Sequence, residues 1–429
     1  MSKILIKNCN LISMSDKREK LEKGVDILLN GSKIEKIGKN LSSEENDIDK
    51  IINANGKVAM PGLIDTHAHI SMSIFRETVD GYKTQDWLVK EIWPREANFK
   101  DEDIYWATML SCLEMIKTGT TTANDMYFFT DDIIKAALDS GIRLQTTRCL
   151  MGYKEEELFK IDELRELVKK YHDDKISFNV GIHGFYTSNE QYVKKCVEYA
   201  KESGLPIHTH FCENQQERDD IIREYNVKNP AEVVKRDFDG IHNILAHSVK
   251  LTNEDIEILK GTNSYISHCP VSNLKLGCGV APIREMIDAG LCVSLGTDGQ
   301  GSGSNLDMFE TMKFTALLQK GINEDPELMN AYDVIKMATV NGAKALELND
   351  IGTIEEGKTA DLILIDMNDV LTQPINNIFA EIVYNVKGYN VDTTIINGNV
   401  LMENRKTKLN EEEIYAKCKP IFDKLSEKK

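Results

Sequence analysis

The sequence predicts an α/β fold, a (β/α)8 barrel of the TIM type with a smaller β-rich domain built from both chain ends. Two observations support this prediction. Short β-rich segments alternate with longer helical patterns through the middle of the chain, and each β-rich segment ends in polar residues. The eight predicted strands are residues 58–69, 120–127, 143–152, 176–186, 205–213, 243–249, 264–273 and 292–299.

The segments between these strands have helical periodicity. Residues 101–117 form one predicted helix, with Gly119 as its C-terminal cap, and residues 158–171 form another. A series of strand–helix repeats of this kind favours the barrel over other α/β architectures.

The two ends of the chain have a different texture. Residues 1–57 contain short alternating apolar runs with turn signals, and the same texture returns near the C-terminus. We therefore predict that the two ends pair with each other. The predicted domains are residues 1–57 and 351–429, which form one β-rich domain together with a C-terminal helix, and residues 58–350, which form the barrel. The polar stretch 42–50 and the C-terminal helix are expected to be solvated surface.

Composition narrows the classes of function. Acidic residues outnumber basic ones by 69 to 52, and such a surface repels nucleic acid and anionic lipid, so we expect neither as a partner. The N-terminus lacks a continuous apolar run, and the chain has no apolar stretch of the roughly 18 residues that a membrane span needs. The 9 cysteines are scattered without a C-x-x-C pair, which is typical of reduced thiols. We expect a cytoplasmic protein.

Charged and titratable residues collect at the predicted strand ends. In a barrel of parallel strands, reactive groups lie at the C-terminal ends of the strands, so these residues are expected on one rim. They are His67, His69, Arg148, His183, His210, Glu213, His247 and Asp298.

Four of these residues form a candidate metal site. His67 and His69 are two residues apart at the end of a strand, so both face the barrel lumen, although an isolated H-x-H pair is as often a surface feature. His210 is favoured over His208, which would lie one layer deeper as a hydrogen-bonded core residue. Asp298 supplies an anionic ligand. Three imidazoles and one carboxylate suit a single divalent ion, zinc first, with ferrous iron and manganese as alternatives by ligand type.

Two further rim residues are candidates to move protons. Glu213 and His247 stand beside the predicted ion, where a carboxylate or an imidazole can transfer protons between water and a leaving group. The alternative for His247 is a buried structural histidine. The glycine-rich run 299–304 lacks the ending of a phosphate-binding loop, and we interpret it as a flexible active-site loop.

Several of these motifs resemble one known family. The run PGLIDTHAH at 61–69, the segments around His210 and Asp298, and the run IGTIEEGKTADL at 351–362 look like the amidohydrolase superfamily over nearly the whole chain. Within it, WPRE at 93–96, PVSNLKL at 270–276 and SNLDMF at 304–309 resemble the deaminases of 5′-methylthioadenosine and S-adenosylhomocysteine.

The resemblance implies a distorted (β/α)8 barrel with a small β-sandwich domain made from both chain ends, as well as an activity and roles for individual residues. It implies hydrolytic deamination of an adenine nucleoside, with Asp298 accepting a proton from water, Glu213 protonating the ring nitrogen and His247 orienting the attacking group. Glu96, Arg148 and His183 are implied substrate contacts, Glu96 at the ribose. Relatives with two metal ions use a bridging residue at strand four, where this chain has His183, so one ion is expected. The family habit is a homo-oligomer.

Other interpretations remain. The enzyme could act on another nitrogen heterocycle, as a deaminase or chlorohydrolase of guanine, cytosine, a pterin or a triazine, or the barrel could bind a ligand without catalysis. Arg148 has a structural alternative as an ion-pair former. Trp87 and Trp93 either cover a purine or fill the local core, and we favour core filling. Ser248 and the glycine-rich run differ from the family pattern and affect the expected substrate range.

Overall fold

The computed structural model describes residues 2–41 and 48–425. The polar stretch predicted at 42–50 lies largely outside these residues. The strands are β1 (Lys3–Leu11), β2 (Glu22–Asn30), β3 (Lys33–Gly38), β4 (Lys50–Asn53), β5 (Lys57–Pro61), β6 (Leu63–Ala68), β7 (Thr120–Asp125), β8 (Arg143–Thr146), β9 (Ile176–Phe178), β10 (Val180–Ile182), β11 (Ile207–Phe211), β12 (Asn243–His247), β13 (Ser264–His268), β14 (Cys292–Leu295), β15 (Leu362–Asp366), β16 (Val391–Ile396), β17 (Asn399–Glu403) and β18 (Lys406–Thr407).

Helices connect most of the parallel strands. They are α1 (Thr84–Trp87), α2 (Trp93–Glu96), α3 (Asp101–Thr118), α4 (Thr130–Ser140), α5 (Phe159–Lys170), α6 (Glu190–Ser203), α7 (Gln215–Glu224), α8 (Ala231–Asp237), α9 (Asn253–Leu259), α10 (Pro270–Lys275), α11 (Ile283–Asp288), α12 (Gln300–Gly303), α13 (Met308–Ile322), α14 (Ala331–Met337), α15 (Val340–Ala345), α16 (Ile378–Tyr384) and α17 (Glu411–Lys424). Among the described residues, no helix is both long and apolar enough to span a membrane.

The parallel strands β6–β14 lie in two sheets whose edges are connected. One sheet has the order β6-β7-β8-β9 and the other β10-β11-β12-β13-β14. A parallel bridge between Leu150 and Ile182 joins β10 to the segment after β8, and a second bridge between Ala68 and Asp298 joins β6 to the segment after β14. The strands therefore return to their starting point as a ring, with their C-terminal ends on one side.

The two chain ends share one sheet. Its order is β18-β17-β16-β15-β5-β1-β2-β3, with β4 paired to β1, and β5 runs antiparallel to β15. Buried side chains from both ends, among them Ile6, Ile27, Leu362 and Ile395, form a hydrophobic cluster of their own. Burial of these apolar groups holds the N-terminal and C-terminal segments together, as the alternating runs at the two ends indicated.

All eight predicted strands end beyond the last residue of the strand in the structure, and the predicted strand 176–186 is divided into β9 and β10. The predicted strand 58–69 is divided at Gly62 between the terminal sheet (β5) and the ring (β6), and a Cβ on Gly62 would lie 2.1 Å from Thr121 Oγ1. The predicted strand 264–273 is too long, because β13 ends at His268 and Pro270 is the first residue of α10. Proline has the fixed φ of a first helical turn and no N–H to donate to a sheet.

The predicted helices are present, but the C-terminal helix is not simply solvated surface. α3 ends at Thr118, and Gly119 caps it with a φ of 85°, a left-handed conformation that glycine adopts without strain. On α17, Ile414, Cys418 and Ile421 are buried, and Lys424 Nζ binds the Asp103 carboxyl on α3 at 2.6 Å. Apolar positions on one face of α17 explain why it packs against α3.

Candidate active site

Three histidines and one aspartate converge where the ring strands end. His67 lies in β6, His69 directly after it, His210 in β11, and Asp298 after β14. One ligand atom from each of the four lies within 4.8 Å of the other three. The bridge between Ala68 and Asp298 keeps the first and last strands of the ring adjacent, so residues separated by more than 200 positions meet at one point.

Backbone and side-chain acceptors orient the three imidazole rings. His69 Nδ1 donates to the carbonyl of Met126 at 2.5 Å, and His210 Nδ1 donates to the carbonyl of His183. These bonds leave the Nε2 atoms of both rings facing the centre of the cluster, 3.3 Å apart. A ring nitrogen bonded to a carbonyl fixes the tautomer that leaves the other nitrogen free to bind a cation.

The surroundings of the His67 ring show whether a cation fits at the cluster. Its Nδ1 lies 2.8 Å from His208 Nε2, whereas its Nε2 is buried and has no hydrogen-bond partner among the described residues. Burial lowers the pKa values of His67 and His210 well below the ordinary value, so both rings are neutral. A buried, unpartnered imidazole nitrogen beside a carboxylate is a donor set that suits a divalent ion.

His208 occupies the deeper position predicted for it. Its side chain is fully buried, its Nε2 contacts His67, and Asn124 Nδ2 lies 3.3 Å from its other ring nitrogen. His208 therefore supports His67 from below and does not face the cluster.

Two serines hold the Asp298 carboxyl. Ser272 Oγ and Ser302 Oγ donate to Asp298 Oδ2 at 2.5 and 2.9 Å, and Asp298 Oδ1 lies 3.1 Å from His69 Nε2. Neither serine was predicted from the sequence, because both lie on short helices, α10 and α12, whose packing the sequence pattern does not indicate.

The glycine-rich run is not the flexible loop that we expected. Residues 300–303 form the buried helix α12, which carries Ser302. A Cβ on Gly301 would lie 2.9 Å from the Trp87 ring, and one on Gly303 would lie 2.4 Å from the Thr297 carbonyl. Glycine is required here because other parts of the chain approach the backbone closely, not because the run moves.

A cavity opens next to the cluster. It contains about 550 Å³ of space between the protein atoms, and its wall includes apolar and aromatic side chains as well as the titratable residues. The apolar part of the wall comprises Met72, Trp87, Leu88, Ile92, Trp93, Met126, Tyr127, Phe128, Tyr186 and Leu276. Trp87 and Trp93 also pack against the main hydrophobic core, so each fills the core with one side and faces the cavity with the other.

Glu213 lies in the cavity wall and is held on two sides. Its backbone N–H donates to Glu217 Oε2 at 2.8 Å, and Thr84 Oγ1 and Cys278 Sγ lie 3.5 and 3.7 Å from its Oε1. Burial raises the pKa of the Glu213 carboxyl. A buried carboxyl that keeps its proton can donate it to a base on a ligand.

His247 faces the same point from the end of β12. Its Nδ1 donates to Asn273 Oδ1 at 2.8 Å, and its ring centroid lies 5.2 Å from that of His67. Its φ of 69° is unusual for a residue with a side chain. This turn in the backbone, together with the Asn273 bond, directs the other ring nitrogen toward the cluster.

Glu96 and His183 also line the cavity, whereas Arg148 does not. Tyr127 OH donates to Glu96 Oε1, and burial raises the pKa of Glu96 to about 7. His183 Nδ1 lies 3.1 Å from Thr187 Oγ1, and burial lowers the pKa of His183 to about 3. Arg148 Nε instead binds Glu163 Oε2 at 2.8 Å in a separate outer cavity.

Comparison with known proteins agrees with this geometry. Residues 58–401 match the model of the amidohydrolase family. The chain belongs to the amidohydrolase family. It is 41% identical over 415 residues to a 5-methylthioadenosine/S-adenosylhomocysteine deaminase of Caldanaerobacter subterraneus subsp. tengcongensis, with 94% of each chain covered. It is 38% identical to a 5′-deoxyadenosine deaminase of Methanobrevibacter smithii, over 99% of this chain and 98% of the relative.

A solved structure of the same fold contains zinc. It is an adenosine deaminase from Xanthomonas campestris with bound zinc, with a TM-score of 0.93, 26% sequence identity and 99% of each chain covered. The family resemblance noted from the motifs at 61–69 and 351–362 is thus confirmed, and the chain has the amidohydrolase fold.

Proposed function

We propose that this chain is a zinc-dependent hydrolase that deaminates the adenine ring of S-adenosylhomocysteine, 5′-methylthioadenosine and related adenosine derivatives. The products are the inosyl compound and ammonia. The observation that carries the proposal is the placement of Glu213, His247 and Asp298 around one point of an apolar cavity, next to three histidines. Relatives of this chain with deaminase names support the choice of an adenine nucleoside.

We propose that His67, His69, His210 and Asp298 hold a single zinc ion. A bound zinc ion supplies Lewis acidity and lowers the pKa of water toward neutrality. The convergence of three imidazoles and one carboxylate and the unpartnered Nε2 of His67 support this assignment. His183, directly after β10, has no ionisable oxygen to bridge a second ion, which supports one ion per chain.

The side chains of the wall divide the proton transfers among them. Asp298 accepts a proton from the attacking water as the C6–O bond forms, and Glu213 gives its proton to the ring nitrogen next to C6. His247 orients the attacking oxygen and stabilises its charge. The hydroxyl proton then returns to Glu213 as the C6–N bond breaks, and the amino group leaves as ammonia with the proton from Asp298.

The rest of the cavity positions the nucleoside. Trp87, Phe128 and Leu276 provide apolar surface for the purine and keep bulk water away from the reacting carbon. Glu96 accepts hydrogen bonds from the ribose hydroxyls, and His183 contacts the nucleoside from its position directly after β10. Specificity for a ribose-bearing substrate thus depends on Glu96.

We extend the proposal to the domain architecture of the chain. We propose a (β/α)8 barrel over residues 58–350 and a β-sandwich domain over residues 1–57 and 351–429. The ring of parallel strands and the sheet shared by the two ends support it. We also propose a cytoplasmic homo-oligomer; the cysteines, all of them within the described residues, are free thiols, which suits a reducing compartment.

One assay tests the reaction. Zinc-replete protein is incubated with S-adenosylhomocysteine, 5′-methylthioadenosine, 5′-deoxyadenosine, adenosine and guanine, and ammonia release and the ultraviolet change from adenine to hypoxanthine are followed. We expect turnover of the 5′-substituted adenosines and none of guanine. If guanine were deaminated and every adenine nucleoside left intact, the proposed substrate class would be wrong.

A further inference from the structure

The Glu213 carboxyl meets side chains from two different segments, and both lie against the same oxygen. Thr84 Oγ1 is 3.5 Å and Cys278 Sγ is 3.7 Å from Glu213 Oε1. Thr84 Oγ1 and Cys278 Sγ are also 3.4 Å apart, so the three atoms form a triangle. Both hydrogen bonds of this carboxyl with described residues involve Oε1, and none involves Oε2. Oε2 is therefore the oxygen that is left for a ligand.

The two side chains of the triangle direct a hydrogen to Oε1. Burial raises the pKa of the Cys278 thiol to about 12, so the thiol keeps its hydrogen and can donate it. The Thr84 hydroxyl has one hydrogen, which is donated either to Cys278 Sγ or to Oε1. In both arrangements Oε1 accepts from the hydroxyl or from the thiol. The accepting oxygen of a carboxylic acid is preferentially its carbonyl oxygen, so the proton of Glu213 belongs on Oε2.

The position of Thr84 is tied to the wall of the active-site cavity. Thr84 is the buried first residue of α1, and Trp87, one helical turn further along, is its last. Both residues line the cavity. One turn of helix thus contacts the proton donor and also forms part of the surface against which a ligand packs.

The segment that carries Cys278 also contacts the other two residues with proposed roles at the reacting centre. Ser272 Oγ donates to the Asp298 carboxyl at 2.5 Å, and Asn273 Oδ1 accepts from His247 Nδ1 at 2.8 Å. The Cys278 N–H donates to the Asn273 carbonyl at 2.8 Å, which holds Cys278 against the end of α10. Residues 272–278 therefore reach each of the three reacting side chains, and Cys278 makes the third of these contacts.

We propose that Thr84 and Cys278 are positioning residues for Glu213, which hold Oε1 so that Oε2 transfers the proton to the substrate. The inference rests on the proposed deamination and deepens it by assigning the oxygen that carries the proton. The contacts at Oε1 are long, as catalytic hydrogen bonds often are before a substrate binds, and they tighten when the nucleoside fills the cavity.

Substitutions of Thr84 test the proposal through the separate values of kcat and KM. Thr84→Val removes the hydroxyl and keeps the shape of the side chain, whereas Thr84→Ser keeps the hydroxyl. With 5′-methylthioadenosine we expect kcat to fall about three- to tenfold in Thr84→Val while KM and the zinc content stay unchanged, because the proton moves only in the transition state. Thr84→Ser should keep kcat within about twofold of the unsubstituted enzyme.

Cys278→Ala tests the same claim from the other segment, including the case in which Thr84→Val does not fold. It should also lower kcat at constant KM. The matched control is Thr315→Val on α13, where the buried hydroxyl donates to the Thr311 carbonyl at 2.8 Å. The control removes a buried hydroxyl that does not line the cavity, so kcat and KM should both stay unchanged.

A second measurement shows whether Thr84 acts through Glu213. Thr84→Val is combined with Glu213→Gln, in which the amide cannot transfer the proton. If Thr84 only positions the Glu213 carboxyl, it should change the residual kcat of Glu213→Gln by less than about twofold.

Three results would overturn the assignment while deamination stands. They are an unchanged kcat in Thr84→Val and Cys278→Ala, a raised KM as the main effect of both, or an equal loss from Thr84→Val in the presence and absence of Glu213→Gln. A raised KM would mean that the two residues shape the cavity or contact the substrate. If the unsubstituted enzyme deaminates no adenine nucleoside, the proposed function fails and this inference fails with it.

Discussion

Glu213 illustrates how the site depends on single residues from distant parts of the chain. Glu217 fixes its backbone, and Thr84 and Cys278 contact its carboxyl. Burial raises the pKa of its carboxyl, which favours the protonated form relative to an exposed glutamate. This environment suits a proton donor and would not suit a metal ligand, which must be ionised.

The division of labour between Glu213 and Asp298 can be tested directly. Glu213→Gln should lower kcat by roughly 10²–10⁴-fold and leave the bound metal unchanged, because the amide cannot transfer the proton. Asp298→Ala should lose turnover and also weaken metal binding. Steady-state kinetics together with elemental analysis of each variant measures both effects. Normal turnover in Glu213→Gln would remove Glu213 from the mechanism.

Glu96 gives substrate binding a pH dependence of predictable sign. Its raised pKa is about 7, and the ionised carboxylate is the better acceptor for ribose hydroxyls. As the pH falls below about 7 the carboxyl takes up a proton, so KM for the nucleoside should rise. We expect this trend over roughly pH 5.5–8.5, and Glu96→Gln should show a higher KM without it. A flat KM profile in the unsubstituted enzyme would contradict the role of Glu96.

Local spacing was enough to predict which residues form the candidate metal site, but not the residues that support them. His67 and His69 share a face because strand side chains alternate, and the deeper position of His208 follows from the same rule. Ser272, Thr84 and Cys278 reach the site through the packing of helices and loops, which has no period in sequence. Arg148 lies at the expected strand end, but its side chain turns to Glu163, and this orientation is a tertiary property.

At the scale of secondary-structure elements, the short helix α12 supports the Asp298 carboxyl. The helix brings Ser302 Oγ to 2.9 Å from the carboxyl, and it fits only because its glycines allow close packing. The sequence composition suggested flexibility, whereas the structure shows a tight contact. The predicted strand 264–273 was too long because apolar composition does not reveal that Pro270 starts a helix.

A substitution in α12 tests its packing. Gly303→Ala places a Cβ 2.4 Å from the Thr297 carbonyl, so the backbone must shift, at a cost of about 1–3 kcal/mol in the free energy of unfolding. The shift should also weaken metal binding, because Ser302 moves with the helix. The matched control is Gly321→Ala on α13, where a Cβ would meet no atom of the described residues within 4 Å. In the control, the midpoint temperature of unfolding and the metal affinity should be unchanged or slightly higher. Equal effects in the two variants would contradict the packing argument.

At the scale of the whole molecule, the terminal sheet is tied to the ring by a buried ion pair. Arg143 in β8 binds both oxygens of Asp361, just before β15, at 2.7 and 3.2 Å, and the two side chains are 8% and 2% exposed. Asn397 N also donates to Asp361 at 2.6 Å. The pairing of the chain ends was predictable from their alternating apolar runs, but this connection between distant charges was not.

Breaking that pair should destabilise the whole chain. Asp361→Ala leaves a buried guanidinium without its carboxylate and should lower the free energy of unfolding by about 3–5 kcal/mol. The control, Glu198→Gln, removes one partner of the exposed Lys195–Glu198 pair, in which 46% and 58% of the side chains are accessible. It should change the free energy of unfolding by less than about 1 kcal/mol. Chemical denaturation measures both, and equal changes would contradict a structural role for the Arg143–Asp361 pair.

Adenine deamination by this chain is proposed to require one metal ion, held by His67, His69, His210 and Asp298. The most direct test removes metal from the protein and titrates zinc back while following the conversion of 5′-methylthioadenosine to its inosyl product. We predict that activity is lost on removal, rises in proportion to added zinc, and reaches its plateau at one zinc per chain. Full activity without metal, or a plateau at two zinc ions per chain, would contradict this requirement.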